Sequence, residues 1–149
     1  MIRAVPLATP PMRRYACLLL ILLGAMPLAA ADGLVVRDAW IRAAPPGAVV
    51  LAGYATIENR GASSVRLVDA SAPGFARVEF HQMRMADGVM KMRRLDVVEL
   101  PAGASVAFGP GADHLMLHEP ERAPVKGQRI EVELVDAAGR RTPASFEVR

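Results

Sequence analysis

The chain has 149 residues, 52% of them hydrophobic and 22% charged, with a formal net charge of +3. That length suits one domain with an appendage rather than a multidomain enzyme, and the charge balance excludes gross disorder. Arg3, Arg13 and Arg14 account for the excess, so from Asp32 onward 15 Lys and Arg face 15 Asp and Glu, and the basic face that nucleic-acid binding requires is missing.

Residues 1–31 read as an address. Arg13 and Arg14 precede an apolar run, Ala16 to Leu23, followed by Gly24, Pro27 and the small residues Ala29, Ala30 and Ala31. Charged, apolar and small-residue regions in that order form a cleavable secretory signal. Cleavage is expected after Ala30 or Ala31, and Met12 could serve as the start. An uncleaved anchor fits less well, because a spanning helix needs ~20 apolar residues and Pro27 interrupts this run. The pair Arg13-Arg14 is too weak a signal to specify twin-arginine export. The sole cysteine, Cys17, opens the apolar run and should leave with it. A single domain of 32–149 would then remain, without thiolate chemistry or disulfides, and without stable membrane insertion.

Turn signals recur along this domain: Pro45-Pro46-Gly47, Asn59-Arg60-Gly61, Pro73-Gly74, Asp87-Gly88, Pro101-Ala102-Gly103, Gly109-Pro110-Gly111 and Ala138-Gly139. The runs between them predict strands at 34–42, 49–58, 65–70, 76–85, 89–94, 105–108, 114–118, 130–135 and 145–148. No window carries a helical stripe. Short strands with regular Gly/Pro turns predict an all-β fold, a Greek-key β-barrel or sandwich.

The domain's five Met and three His all fall between His81 and His118. Period-two geometry puts His81, Met83 and Met85 on one strand face, opposite Val78 and Phe80. Asp87-Gly88 is a type I′ hairpin signal, which pairs Met85 with Met90 and Met83 with Met92. His81 then lies diagonal to Met92, roughly 7–8 Å away between backbones. His114, Met116 and His118 share a face, with Leu115 and Leu117 on the other. Imidazoles and thioethers can thus converge from three strands. Thioether sulfur is soft and suits Cu(I) far better than Zn, Mg or Ca. Without cysteine, an ordinary blue-copper site is excluded. Individually, Met83, Met85 and Met90 could be core filler or a sticky partner surface. Glu79, Asp87, Asp96 and Glu99 look scattered and predict no paired-carboxylate catalysis. Ser63, Ser64, Ser71 and Ser105 lack a nucleophile-elbow context.

The spacing from His81 through Met92 and His114 to Met116 resembles that of the PCuAC family of bacterial periplasmic copper chaperones. The segments 89–93, 114–117, 39–47 and 53–59 are similar to it as well, so the resemblance covers nearly all of the mature chain. It implies a cupredoxin-like Greek-key β-barrel. It also implies Cu(I) held by His81, Met92, His114 and Met116, with Met83, Met85, Met90 and His118 auxiliary. The implied role is to carry copper in the periplasm toward the binuclear centre of cytochrome c oxidase, with oxidase subunit II and Sco-type proteins as partners. Storage or resistance without a dedicated recipient is the alternative. An enzyme is disfavoured, since four protein ligands leave no open position. His118 stands where the family often has Met. The chain also ends Ser145-Phe146-Glu147-Val148-Arg149, without the His/Met-rich tail that carries Cu(II) in some members, so the resemblance gives no expectation of a second, Cu(II) site.

Overall fold

A computed structural model describes residues 33–149. The expected signal segment and Cys17 lie outside the described residues. Ten strands follow one another: β1 (Leu34–Ile41), β2 (Val50–Asn59), β3 (Val65–Ser71), β4 (Phe75–Ala86), β5 (Val89–Leu95), β6 (Val98–Leu100), β7 (Ser105–Phe108), β8 (His114–Pro120), β9 (Arg129–Asp136) and β10 (Arg141–Val148). Among the described residues there is no helix, and so none long and apolar enough to cross a membrane.

The strands pair in the order β5-β4-β8-β2-β1-β10-β9-β3-β6, and β3 also pairs with β4. That last pairing, Ala70 with Val78, closes a ring of seven strands. Closure removes the exposed edges that an open sheet would present. β5, β6 and β7 hang outside the ring on β4, β3 and β2. All pairings are antiparallel except β1 with β10. The all-β barrel expected from the turn spacing is therefore present.

The core follows from alternation. In β9, Ile130, Val132 and Leu134 are buried between exposed or half-buried charged residues. Ile41, Ile57, Leu67, Leu115, Leu117, Phe146 and Val148 join them inside the barrel. Each fully buried aliphatic or aromatic side chain contributes roughly 1.5–3 kcal/mol. Gly53 on β2 leaves room for the leucines of β8. A Cβ there would stand 3.1 Å from Leu117 Cδ1 and 3.3 Å from Leu115 Cβ, so any side chain at this position would push those leucines aside by a few tenths of an ångström.

Two buried polar residues tie the loops. Asn59, with no exposed surface, donates from Nδ2 to the carbonyls of Ser63, Leu100 and Pro101 at 2.8, 2.9 and 3.1 Å. Its Oδ1 accepts the Gly61 N–H at 3.0 Å. Asp136 accepts the N–H groups of Ala138 and Arg140 at 2.9 and 2.8 Å, and Arg140 Nε–H at 2.7 Å.

Beyond shifts of one or two residues at strand ends, the strands differ from the sequence expectation at two places. β6 is an additional strand, and β10 begins at Arg141 rather than Ser145. Pro143 weakens the strand signal over 141–144, because proline cannot donate to a ladder. The structure accommodates it because β10 meets β1 only at Glu147 and Val148, so at Pro143 the ladder runs to β9 alone.

Candidate metal centre

The outer face of β5, β4 and β8 carries the His and Met residues. Asp87 and Gly88 have φ of 53° and 74°, the two positive values that a type I′ turn demands. The turn sets the hairpin register as expected: Met85 pairs with Met90, Met83 with Met92, and His81 with Arg94. On the other side of β4, His81 pairs with His114, Glu79 with Met116, and Arg77 with His118. Val78, Phe80, Leu115 and Leu117 turn into the core, which fixes the opposite set outward.

His81 and His114 are therefore directly opposed, while Met116 on β8 and Met92 on β5 each stand diagonal to His81. The His81 and His114 rings lie 6.0 Å apart between centroids, tilted by 28°. Tyr54 on β2 flanks His114 at 6.5 Å, and Trp40 lies 4.6 Å from Tyr54 with the two rings tilted by 45°. Met83 sits beside Met92, while Met85 and Met90 lie farther out toward the hairpin tip. Met85, Met90 and Met92 are exposed. His118 lies at the opposite end of the row and is only 9% exposed.

Glu79 is the residue that sequence reasoning missed. It shares the face of His81 by the period-two rule, but along the sequence it looks like one scattered carboxylate among several. Its Oε2 accepts the His81 Nε2–H at 2.9 Å, and His118 Nε2 lies 3.1 Å from the same oxygen. Arg94 Nη1 and Arg77 Nε stand 3.3 and 3.4 Å from Oε1. The His81 hydrogen bond is the main cause that holds the Glu79 carboxyl below its ordinary range, against the opposing effect of burial. Arg94 adds to it, as do His118 and His81 whenever those rings carry a charge.

These partners fix the ring tautomers. A carboxylate only accepts, so His81 carries its proton on Nε2 and a lone pair on Nδ1. That Nδ1 is buried and has no hydrogen-bond partner. The Ala112 carbonyl lies 2.9 Å from His114 Nδ1, which puts the proton there and leaves the Nε2 lone pair free. A carboxylate or carbonyl holding the far nitrogen is how proteins aim histidine at a metal. Two imidazoles, each with one ring nitrogen left free, and thioethers on the same face make a neutral, soft donor set of the type that suits Cu(I).

Residues 34–148 match the family described as "Putative lipoprotein LpqE-like". The chain belongs to the LpqE-like family. The LpqE-like chain is 28% identical over 120 residues to Lxx21020 of Leifsonia xyli subsp. xyli, which carries the same lipoprotein description; the match spans 80% of this chain and 71% of that protein. It is 37% identical over 69 residues to the uncharacterized protein RP573 of Rickettsia prowazekii, spanning 46% of this chain and 38% of that protein. Among solved structures it resembles the copper-bound PCuAC domain from PmoF2, with a TM-score of 0.66 and 23% identity, over 80% of this chain and 95% of that one. It also resembles CuI-DR1885 from Deinococcus radiodurans, with a TM-score of 0.59 and 26% identity, over 81% of this chain and 83% of that one. The PCuAC resemblance and the cupredoxin-like all-β fold read from the sequence are thus borne out for this LpqE-like chain.

Proposed function

We propose that the protein is an exported Cu(I) chaperone. His81 binds through Nδ1, His114 through Nε2, and Met92 and Met116 through sulfur. The observation that carries this reading is the buried, unpartnered Nδ1 of His81 on the strand face that holds His114, Met116 and Met92. Neutral nitrogen and thioether donors favour Cu(I) and supply no anion to favour Cu(II). The structural relative solved with Cu(I) supports the cargo, and the family's lipoprotein description supports export. The periplasm, after removal of residues 1–31, is the compartment in which a thioether site outlasts a thiolate one.

Nothing in the donor set generates a nucleophile or holds an open coordination position, so the role is binding and transfer. The recipient we propose is the binuclear copper centre of cytochrome c oxidase, reached through subunit II and Sco-type proteins. The test loads the protein with one equivalent of Cu(I) under anaerobic conditions and adds apo subunit II or apo Sco-type protein. Copper should leave for the recipient. Retention in the presence of both would replace delivery with storage.

A further inference from the structure

Glu79, His81 and His118 are clustered more closely than the Cu(I) reading requires. One ligand atom from each lies within 4.8 Å of the others. Glu79 Oε2 is 2.9 Å from His81 Nε2 and 3.1 Å from His118 Nε2. Donors around a tetrahedral borderline cation, bound at roughly 2.0–2.1 Å, stand about 3.3 Å from one another. The two separations, 2.9 and 3.1 Å, are hydrogen-bond distances only about 0.2–0.4 Å short of that value, so a small outward shift of the three groups would admit an ion. The His118 contact is also poorly shaped as a hydrogen bond: its Nε2 is buried and unpartnered despite the carboxylate oxygen at 3.1 Å. The two groups are close without being aligned as donor and acceptor.

We propose that Glu79, His81 and His118 form a second site, for a borderline divalent cation such as Cu(II) or Zn(II), which competes with Cu(I) for His81. The proposal rests on the Cu(I) assignment for its competitive part only. One carboxylate and two imidazoles are the donors such ions favour, in contrast to thioethers. A neutral imidazole has one lone pair. His81 offers it through Nδ1 to Cu(I), or, with its proton moved to Nδ1, through Nε2 to the divalent ion. It cannot do both. A divalent ion therefore withdraws His81 from the Cu(I) set and blocks loading until it leaves.

The surroundings set the strength of the second site. Arg77 Nη2 lies 3.2 Å from His118 Nδ1 and can only donate, so it keeps the His118 proton on Nε2. Binding requires that proton to move to Nδ1 and Arg77 to withdraw. Arg77 is half exposed and already reaches Glu119 at 3.1 Å, so it has somewhere to go. Arg77 and Arg94 near Glu79 Oε1 also repel a cation. The divalent site is accordingly weaker than the Cu(I) site.

The experiment titrates Zn(II) and, separately, Cu(II) into the intact mature protein and four variants, with Cu(I) affinity measured in parallel. The wild type should bind one equivalent of Zn(II). Its Cu(II) paramagnetic resonance spectrum should show nitrogen ligation, and Cu(I) should displace Zn(II) stoichiometrically. The double variant M92L/M116L should keep Zn(II) and lose Cu(I). His118→Ala and Glu79→Gln should lose Zn(II), and Cu(I) affinity should fall by no more than the ~10–100-fold typical of an outer partner. Arg77→Gln should bind Zn(II) more tightly, which a purely structural network would not do. Should His118→Ala fail to fold, Glu79→Gln tests the same donor set. Zn(II) binding that survives Glu79→Gln, or simultaneous binding of Zn(II) and Cu(I), overturns the proposal. Failure of the wild type to bind Cu(I) overturns the chaperone reading instead.

Discussion

Replacing Met92 by Leu separates metal binding from folding. Met92 lies on β5 with 51% of its surface exposed. Complete burial of such a side chain is worth about 1.5–3 kcal/mol, so at most half of that is realised here, and leucine keeps most of it. The expected destabilisation is under about 1 kcal/mol, a fall in Tm of less than about 5 °C for a domain of this size. Loss of a coordinating sulfur should exceed the ~10–100-fold effect of losing an outer partner. At tenfold per 1.4 kcal/mol, a hundredfold loss is about 2.8 kcal/mol, well clear of the folding cost. Met83, the register partner of Met92, is the matched control, and Met83→Leu should lower affinity less than tenfold. The assay is anaerobic competition with a Cu(I) chelator, with thermal melts on each variant. If Met83→Leu abolished binding while Met92→Leu retained it, the ligand assignment drawn from the hairpin register would be wrong.

Asn59→Ala should destabilise by about 3 kcal/mol, because several partners in and around the core lose their hydrogen bonds, each worth roughly 1–3 kcal/mol when left unmade; urea midpoints measure it. Burial raises the Asp136 carboxyl, but the Arg140 and Ala138 N–H groups and the Arg140 side chain outweigh it and hold the group below its ordinary value. Its stabilisation is complete above the unfolded value of ~3.9 and is lost as pH falls through the lower folded one. Asp136→Asn should therefore cost stability at neutral pH, and the gap to wild type should narrow below about pH 4. Gly88→Val forces a β-branched residue to φ 74°. It should cost on the order of 1–3 kcal/mol and weaken Cu(I) binding through the disturbed register. Mass spectrometry of the native protein should find a chain beginning near Ala31 or Asp32 and lacking Cys17.

What the sequence disclosed was governed by local rules. Asp87-Gly88 specified its turn through its backbone preference alone, and the turn then dictated which methionine faced which. The apolar alternation in 130–135 likewise named its own buried side. Val98–Leu100 was illegible because three residues are too few to show a period. Pro143 hid the start of β10, since its tolerance depends on which neighbour is absent. Glu79 was hidden for a different reason. Its role comes from His81 two residues along and His118 thirty-nine residues away, and only the pairing of β4 with β8 reveals the second. His118 was obscured in the same way: its burial against Arg77 and Glu79 is a tertiary fact.

The ring of seven strands closes without β5, which is bonded to β4 alone. Three of the proposed copper donors thus belong to the closed wall, and the fourth, Met92, belongs to a detachable flap. Peeling β5 away breaks its own ladder and the Arg94–Glu79 contact and lifts Leu95 from the edge of the core, but leaves the ring closed, so it should cost less than global unfolding. Its amides should exchange with solvent well before those of β8. A carrier built this way can lower the coordination number of its metal by one, offering it to a recipient, while the barrel stays shut. The charges of Lys91, Arg93 and Arg94 on that strand keep the freed edge from pairing with another sheet. One of the four donors can therefore be released without opening the barrel that holds the other three.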